Sequence, residues 1–226
     1  MKFCERTGWW LPDHEEHLQQ WMVSVNARVG ARLTYQRHKY RAALRSVRQR
    51  RAAVDIGAHA GLWSWQMARD FGDVIAFEPM DAHAECYLGN MEGFSNWTLH
   101  RTALGPEEGE VWLRTRTANS SGDTGVEPGG ECEGGQKATL RRLDDFGLEE
   151  VDFMKIDCEG YELFVLQGAV ETLKRCKPCV IVEQKPETGM EARYGIGTTD
   201  AVSFLEDLGA RRIRGIQGDY IMAWPA

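Results

Sequence analysis

Apolar and polar positions change their period near residue 52 of the 226-residue chain. Before that point the apolar residues are few and mostly aromatic. Trp9, Trp10 and Leu11 precede Pro12, and the Pro-Asp followed by Glu is helix-start chemistry, so an irregular stretch and then a helix from near Asp13 are expected. Residues 33–50 read as a second helix, with Tyr40, Leu44 and Val47 at i, i+4 and i+7 and arginines on the other faces. Residues 1–51 thus read as a helical N-terminal extension, a candidate cover for a substrate.

From residue 52 onward, short apolar runs alternate with helical stretches. Residues 52–56 and 73–77 read as strands, each followed by a helix, the second over 81–93; a third strand is expected over 97–104 and a fourth over 111–115. Residues 117–136 hold Gly122, Gly125, Gly129, Gly130, Gly134 and Gly135 and almost no large apolar residue, so a long loop is expected, either a lid or an insertion. Residues 151–156 form another strand, and a helix from Glu162 carries Leu163, Leu166, Val170 and Leu173 on one face. Residues 179–183 are a buried strand; a helix over 200–208 then leads to strands at 211–216 and 220–224, joined through Gln217-Gly218-Asp219. The alternation gives an α/β fold over 52–226: a mostly parallel sheet covered on both faces and closed by a C-terminal antiparallel hairpin.

Composition narrows the class. With 42% apolar and 27% charged residues the chain is neither collagen-like, coiled-coil nor wholly disordered. No apolar run approaches the roughly 18 residues of a membrane span, and the stretch around Trp9 is too short for the apolar region of a signal peptide. Six scattered cysteines, with only Cys176 and Cys179 close together, lack the pattern of a structural zinc site, so no metal is expected there. Reduced thiols in the cytoplasm are the expectation. Nine Lys and Arg and no acidic residue stand between Arg28 and Arg51, so the net charge of −7 hides a strongly acidic body. That body disfavours nucleic acid as a partner, while the basic segment leaves a phosphate-bearing ligand open.

The candidate chemistry lies at strand ends. In open α/β sheets ligands bind beyond the carboxyl ends of the strands, and four expected strands end in a carboxylate: Asp55, Glu78, Asp157 and Glu183. After the first, Gly57-Ala-His-Ala-Gly61 permits a sharp turn and a close approach of the helix start to a ligand. It is neither the three-glycine dinucleotide fingerprint nor a Walker loop. Glu78, before Pro79, follows Asp55 by 23 residues, the placement of an acid that holds ribose hydroxyls. A ligand with a ribose, cationic groups and no pyrophosphate suits such a rim, and S-adenosylmethionine is one.

The segments Val54-Asp-Ile-Gly-Ala-His-Ala-Gly61, Ala76-Phe-Glu-Pro79, Asp152-Phe-Met-Lys-Ile-Asp-Cys-Glu-Gly160 and Val180-Ile-Val-Glu183 resemble the FkbM family of S-adenosylmethionine-dependent methyltransferases over about residues 52–185. The resemblance implies a class I methyltransferase, Rossmann-like fold with a seven-stranded sheet. It further implies Gly57, Ala58, His59 and Gly61 against the methionine part of the cofactor, Glu78 on its ribose, Ala103 and Leu104 beside the adenine, and Asp157 near the ammonium or the reacting centre. Members of the family typically methylate hydroxyl oxygens of sugars and other small natural products. A hydroxyl acceptor needs a base, and Asp157, Glu159 and Glu183 are the candidates by position, with His59 behind them. A ribose 2′-O-methyltransferase of RNA or nucleotides and a non-catalytic S-adenosylmethionine-binding module are the alternative readings.

Overall fold

The computed structural model describes residues 1–225. Its centre is a seven-stranded sheet. In chain order the strands are β1 (Ala52–Ile56), β2 (Asp73–Phe77), β3 (Trp97–His100), β4 (Val151–Ile156), β5 (Cys179–Glu183), β6 (Arg211–Ile216) and β7 (Asp219–Ala223). They lie side by side as β6-β7-β5-β4-β1-β2-β3. Strands β1 to β5 are parallel, and β7 is antiparallel to both β5 and β6. The expected hairpin is therefore present. Its two-residue turn has Gln217 at φ 51° and Gly218 at φ 84°, the pair of left-handed conformations that matches the twist of the flanking strands.

The inner strands are buried on both faces, as parallel strands under helices must be. Side chains alternate between two cores. Ala53, Phe153, Ile181 and Ile221 face one, and Val54, Met154, Val180 and Met222 the other. The second core is closed by helical residues such as Leu166, Leu173 and Leu205. The first is closed by Trp63, Trp65 and Phe71 and by the N-terminal residues Trp9, Leu11, Met22, Leu33 and Tyr40. Each fully buried Leu or Met contributes about 1.5–3 kcal/mol, so the first fifty residues help to hold the sheet.

Several elements differ from the sequence reading. The N-terminal stretch is less helical than expected. Hairpins pair Lys2–Cys4 with Trp9–Leu11 and Arg28–Val29 with Arg32–Leu33, and the helices cover only His17–Val25 and Arg37–Ala43. Trp9 has no exposure; its indole N–H donates to the Leu33 carbonyl at 2.6 Å. The expected strand over 97–104 is divided, because Ala103–Leu104 leaves the large sheet and pairs with Leu140 and Arg141. The glycine-rich stretch 117–136 is not one long loop: Ser120–Val126 is a strand, antiparallel to Gly109–Thr117, in a second sheet completed by Gln136–Arg141 and Ala103–Leu104. Its small residues carry no apolar alternation, and cross-strand pairing defines it instead. The helix after Glu162 breaks at Gly168 into Glu162–Gln167 and Val170–Cys176. No helix among the described residues is long and apolar enough to cross a membrane.

Three of the nine basic residues between Arg28 and Arg51 are engaged within the protein. Lys39 forms a buried ion pair with Asp219 at 2.9 Å, Arg51 pairs with Asp152 and Glu150, and Arg50 with Asp70. Replacing Lys39 with Met strands the Asp219 carboxylate in the interior and should cost about 3–5 kcal/mol. Chemical denaturation of K39M should read that loss, and the double replacement with Asp219→Leu should recover most of it.

Candidate active site

The order of the strands reverses between β1 and β4, where a crevice opens at their carboxyl ends. After β1 the chain turns at Gly57, whose φ is +72°. A Cβ there would stand 1.9 Å from the Asp157 carbonyl oxygen, so the turn exists only because residue 57 has no side chain. The Gly57 and Ala58 N–H groups both donate to the Phe77 carbonyl, which binds the turn to the end of β2. The Asp157 N–H donates to the Ile56 carbonyl at 3.2 Å, which binds it to β4.

Glu78 ends β2 and is buried. One carboxylate oxygen accepts the His59 N–H at 2.7 Å; the other accepts the Met80 N–H at 2.9 Å and faces His83 Nδ1 at 3.3 Å. Burial works against its charge, but His83 and these donors outweigh burial and hold the carboxyl below its usual range. The anion expected at this position is therefore present and rigid.

A cavity runs along the rim. It is lined by Gly57, Ala58 and His59, by Glu78 and Pro79, and by the apolar residues Ala103, Leu104, Leu113 and Tyr161. Asp157 and Glu159, just after β4, also line it, as do Leu18 and Ser121.

Three residues expected at the rim do not line this cavity. Asp55 is fully buried beneath it, accepting from Ser64 Oγ at 2.7 Å and lying 3.4 Å from Lys155 Nζ. Its position in the strand faces it into the protein, and burial pushes its carboxyl up against the pull of Lys155 and Ser64. Gly61 packs instead: a Cβ there would press on the Tyr87 ring at 3.0 Å. Glu183 lies beside the cavity, in contact with Lys185, and lines a smaller void with Asp157, Lys155 and Asp219.

Asp157, Glu159 and Glu183 nevertheless converge, offering ligand atoms within 4.8 Å of one another. Such a trio suits a divalent cation, but each member already faces a cation of the protein: Lys155 is 3.6 Å from Asp157, Arg116 3.6 Å from Glu159, and Lys185 contacts Glu183. The three environments differ. Burial opposes the charge on Asp157, yet Lys155 and Lys185 outweigh burial and keep its carboxyl low. Burial followed by the Asp157 charge pushes Glu159 up to about 8, and the same causes, joined by Glu159, raise Glu183 well above its usual range. One ionised and two proton-holding carboxyls side by side can accept or return a proton.

Lys155 is buried and donates to the Gly57 carbonyl at 2.7 Å. Glu15, Ser121 and His83 were not singled out. Glu15 sits between His14 and His17; the two histidines are exposed, while Glu15 has no exposure. Ser121 lay inside the supposed loop. Only the tertiary arrangement carries their signal.

Two outcomes follow from this geometry. Gly57→Ala should abolish binding of S-adenosylhomocysteine in calorimetry, because the clash is with backbone and no side chain can move aside. Glu159→Gln should stabilise the protein at alkaline pH. A folded-state proton affinity raised to about 8 means the native protein holds a proton the unfolded chain releases, so the Glu159 contribution fades as pH rises from the ordinary carboxylate range through about 8. Urea midpoints of the two proteins should coincide near pH 4 and separate by pH 8.

Comparison with known proteins supplies the class. Among curated proteins none matches the sequence. A methyltransferase FkbM from Methylobacillus flagellatus superposes at a TM-score of 0.51 with 18% identity, over 78% of this chain and 44% of that one. The present chain thus spans less than half the length of that structure. An rRNA methylase from Streptococcus thermophilus superposes at 0.50 with 10% identity, over 85% and 99% of the two chains. At these identities the likeness is one of fold, that of class I methyltransferases. The family model described as the methyltransferase FkbM domain matches residues 55–211, a span that includes the glycine turn, Glu78 and the carboxylate trio. This chain belongs to the FkbM methyltransferase family.

Proposed function

We propose that the protein transfers a methyl group from S-adenosylmethionine to a hydroxyl oxygen of a small acceptor such as a sugar. The observation that carries this reading is Glu78, a buried carboxylate clamped by donors at the end of β2 in the same cavity as Asp157 and Glu159. The donor's chemistry fits the residues present. A carboxylate at this place accepts the paired hydroxyls of a ribose, the apolar lining of Ala103, Leu104 and Leu113 suits an adenine ring, and the anionic Asp157 suits the ammonium and sulfonium.

When bound, S-adenosylmethionine supplies an electrophilic methyl on sulfur; in the transfer the carbon–sulfur bond breaks and the carbon–oxygen bond forms. The residues of this chain align the donor and receive the acceptor's proton. Alignment alone can supply up to roughly 7–11 kcal/mol of barrier reduction. The hydroxyl proton passes to the carboxylate trio, whose members offer oxygens within 4.8 Å of one another. Glu159, raised to about 8, is the member whose proton affinity matches work near neutral pH. Lys155 keeps Asp157 anionic and braces the glycine turn at the same time.

A nucleic-acid acceptor is disfavoured by the acidic body of the chain, and three of the nine basic residues between Arg28 and Arg51 are engaged in pairs with Asp219, Asp152, Glu150 and Asp70. A small acceptor bearing a phosphate stays within the reading. The six cysteines are free thiols, consistent with work in the cytoplasm.

Calorimetry with S-adenosylmethionine and S-adenosylhomocysteine, joined to a product assay over a panel of hydroxyl compounds, tests the whole. Micromolar binding and a methyl ether product are expected; binding with no product on any acceptor would instead make the protein a binding module. Glu78→Gln should weaken the nucleoside by roughly 10–100-fold, the worth of a charge-assisted pair of hydrogen bonds. Asp157→Asn should lower kcat by about 10²–10⁴-fold, and a near-normal rate would remove Asp157 from proton transfer.

A further inference from the structure

A chain of hydrogen bonds outside the glycine turn ends on His59. Glu15 lies in the N-terminal segment, before residue 55 where the family match begins. Its side chain is fully buried, and no lysine or arginine pairs with it among the described residues. Instead, Oε1 accepts the Leu18 N–H at 2.6 Å, at the start of the helix His17–Val25, and Oε2 accepts the Ser121 N–H at 2.6 Å. The same Oε2 accepts the Ser121 hydroxyl at 2.5 Å. Ser121 Oγ then lies 2.7 Å from His59 Nε2. His59 lines the cavity, and its Nδ1 is buried without a hydrogen-bond partner among the described residues.

Proton counting settles the roles. A carboxylate can only accept, so it takes the single proton of the Ser121 hydroxyl. Ser121 Oγ is left with lone pairs toward His59, and the proton on that contact must come from Nε2. A neutral imidazole carries one N–H, so Nδ1 is bare. The ring is kept neutral by its burial and by the neighbouring His83 and Lys155. A buried acceptor with no partner is costly to leave unsatisfied. The His59 backbone N–H is on Glu78, and the His83 ring stands 4.2 Å from that of His59 with its own Nδ1 on Glu78. The bare nitrogen thus belongs to the residue that abuts the carboxylate assigned to the ribose.

We propose that Glu15 and Ser121 are positioning residues that lock His59 in its Nε2–H tautomer, so that Nδ1 accepts a hydrogen bond from a ribose hydroxyl of the bound nucleoside beside Glu78. The inference rests on the reading of Glu78 as the ribose acid and adds two residues to it. It also gives the N-terminal segment a role at the site: one carboxylate joins the helix His17–Val25, the strand Ser120–Val126 and the glycine turn.

The test is two-bond ¹H–¹⁵N correlation of the histidine rings in the full chain, first alone and then with S-adenosylhomocysteine or 5′-methylthioadenosine. In the free protein His59 should show the Nε2–H pattern with an unprotonated Nδ1. Both nucleosides should move the Nδ1 resonance upfield, because both carry the ribose. An Nδ1–H pattern in the free protein, or a bound nucleoside with an unmoved Nδ1, overturns the inference while leaving the methyltransferase reading in place. A shift with S-adenosylhomocysteine alone overturns the ribose assignment and makes the ammonium the donor. Absence of binding by either nucleoside, seen in calorimetry, overturns the parent reading and this one together. Ser121→Ala should mix the two tautomers and weaken S-adenosylhomocysteine by about ten-fold, the equivalent of one hydrogen bond, whereas Ser121→Thr, which retains the hydroxyl, should restore both. An unmixed tautomer in folded Ser121→Ala would overturn the relay, and the wild-type spectra decide the matter even if that variant fails to fold.

Discussion

Everything at the carboxyl edge of the sheet depends on one buried ammonium group. Lys155 projects from β4 and reaches the Gly57 carbonyl at the end of β1, with Asp55 at 3.4 Å and Asp157 at 3.6 Å. Burial alone would discharge it, but Asp157 and Asp55 reverse that and keep it protonated. The single cation therefore binds two neighbouring strands at the point where the strand order reverses. It donates to the glycine turn, where a Cβ at residue 57 would meet the Asp157 backbone, and it keeps Asp157 ionised. Removing its charge would leave Asp55 uncompensated in the core, so structure and electrostatics cannot be separated here.

Around that centre the protein divides its carboxylates by environment. Glu78 is surrounded by N–H donors and stays anionic. Glu159 and Glu183 crowd against Asp157 and favour protonation. Like residues thus acquire unlike roles, anchoring in one case and proton exchange in the other, from the neighbours that each strand end brings to them.

The N-terminal segment joins the same arrangement from outside. Its aromatic residues complete one of the two cores, its Lys39 neutralises Asp219 beside the smaller void, and its Glu15 ties the second sheet to the glycine turn. Read as sequence, it looked like a helical cover carrying free positive charge. In the fold three of the nine basic residues between Arg28 and Arg51, namely Lys39, Arg50 and Arg51, are paired with carboxylates.

The alternation of short apolar runs with helical stretches was enough to place six of the seven strands of the large sheet, because a parallel strand buried on both faces must be apolar throughout. Glu78 and the glycine turn were legible for a related reason: a charge at the end of such a run, or a residue without a side chain where the chain reverses, has few structural explanations. The third strand was read too long, since nothing local tells a chain which of two sheets it will pair with. The strand Ser120–Val126 was missed because glycine and serine have no periodicity to display. Facing Asp55 inward, burying Glu15 between two exposed histidines and bringing Ser121 onto His59 were decided by packing between segments up to 106 residues apart. Local pattern specifies which face of an element is apolar; only the assembled layers decide which polar side chains are trapped between them, and trapped polar groups are the ones that must find partners.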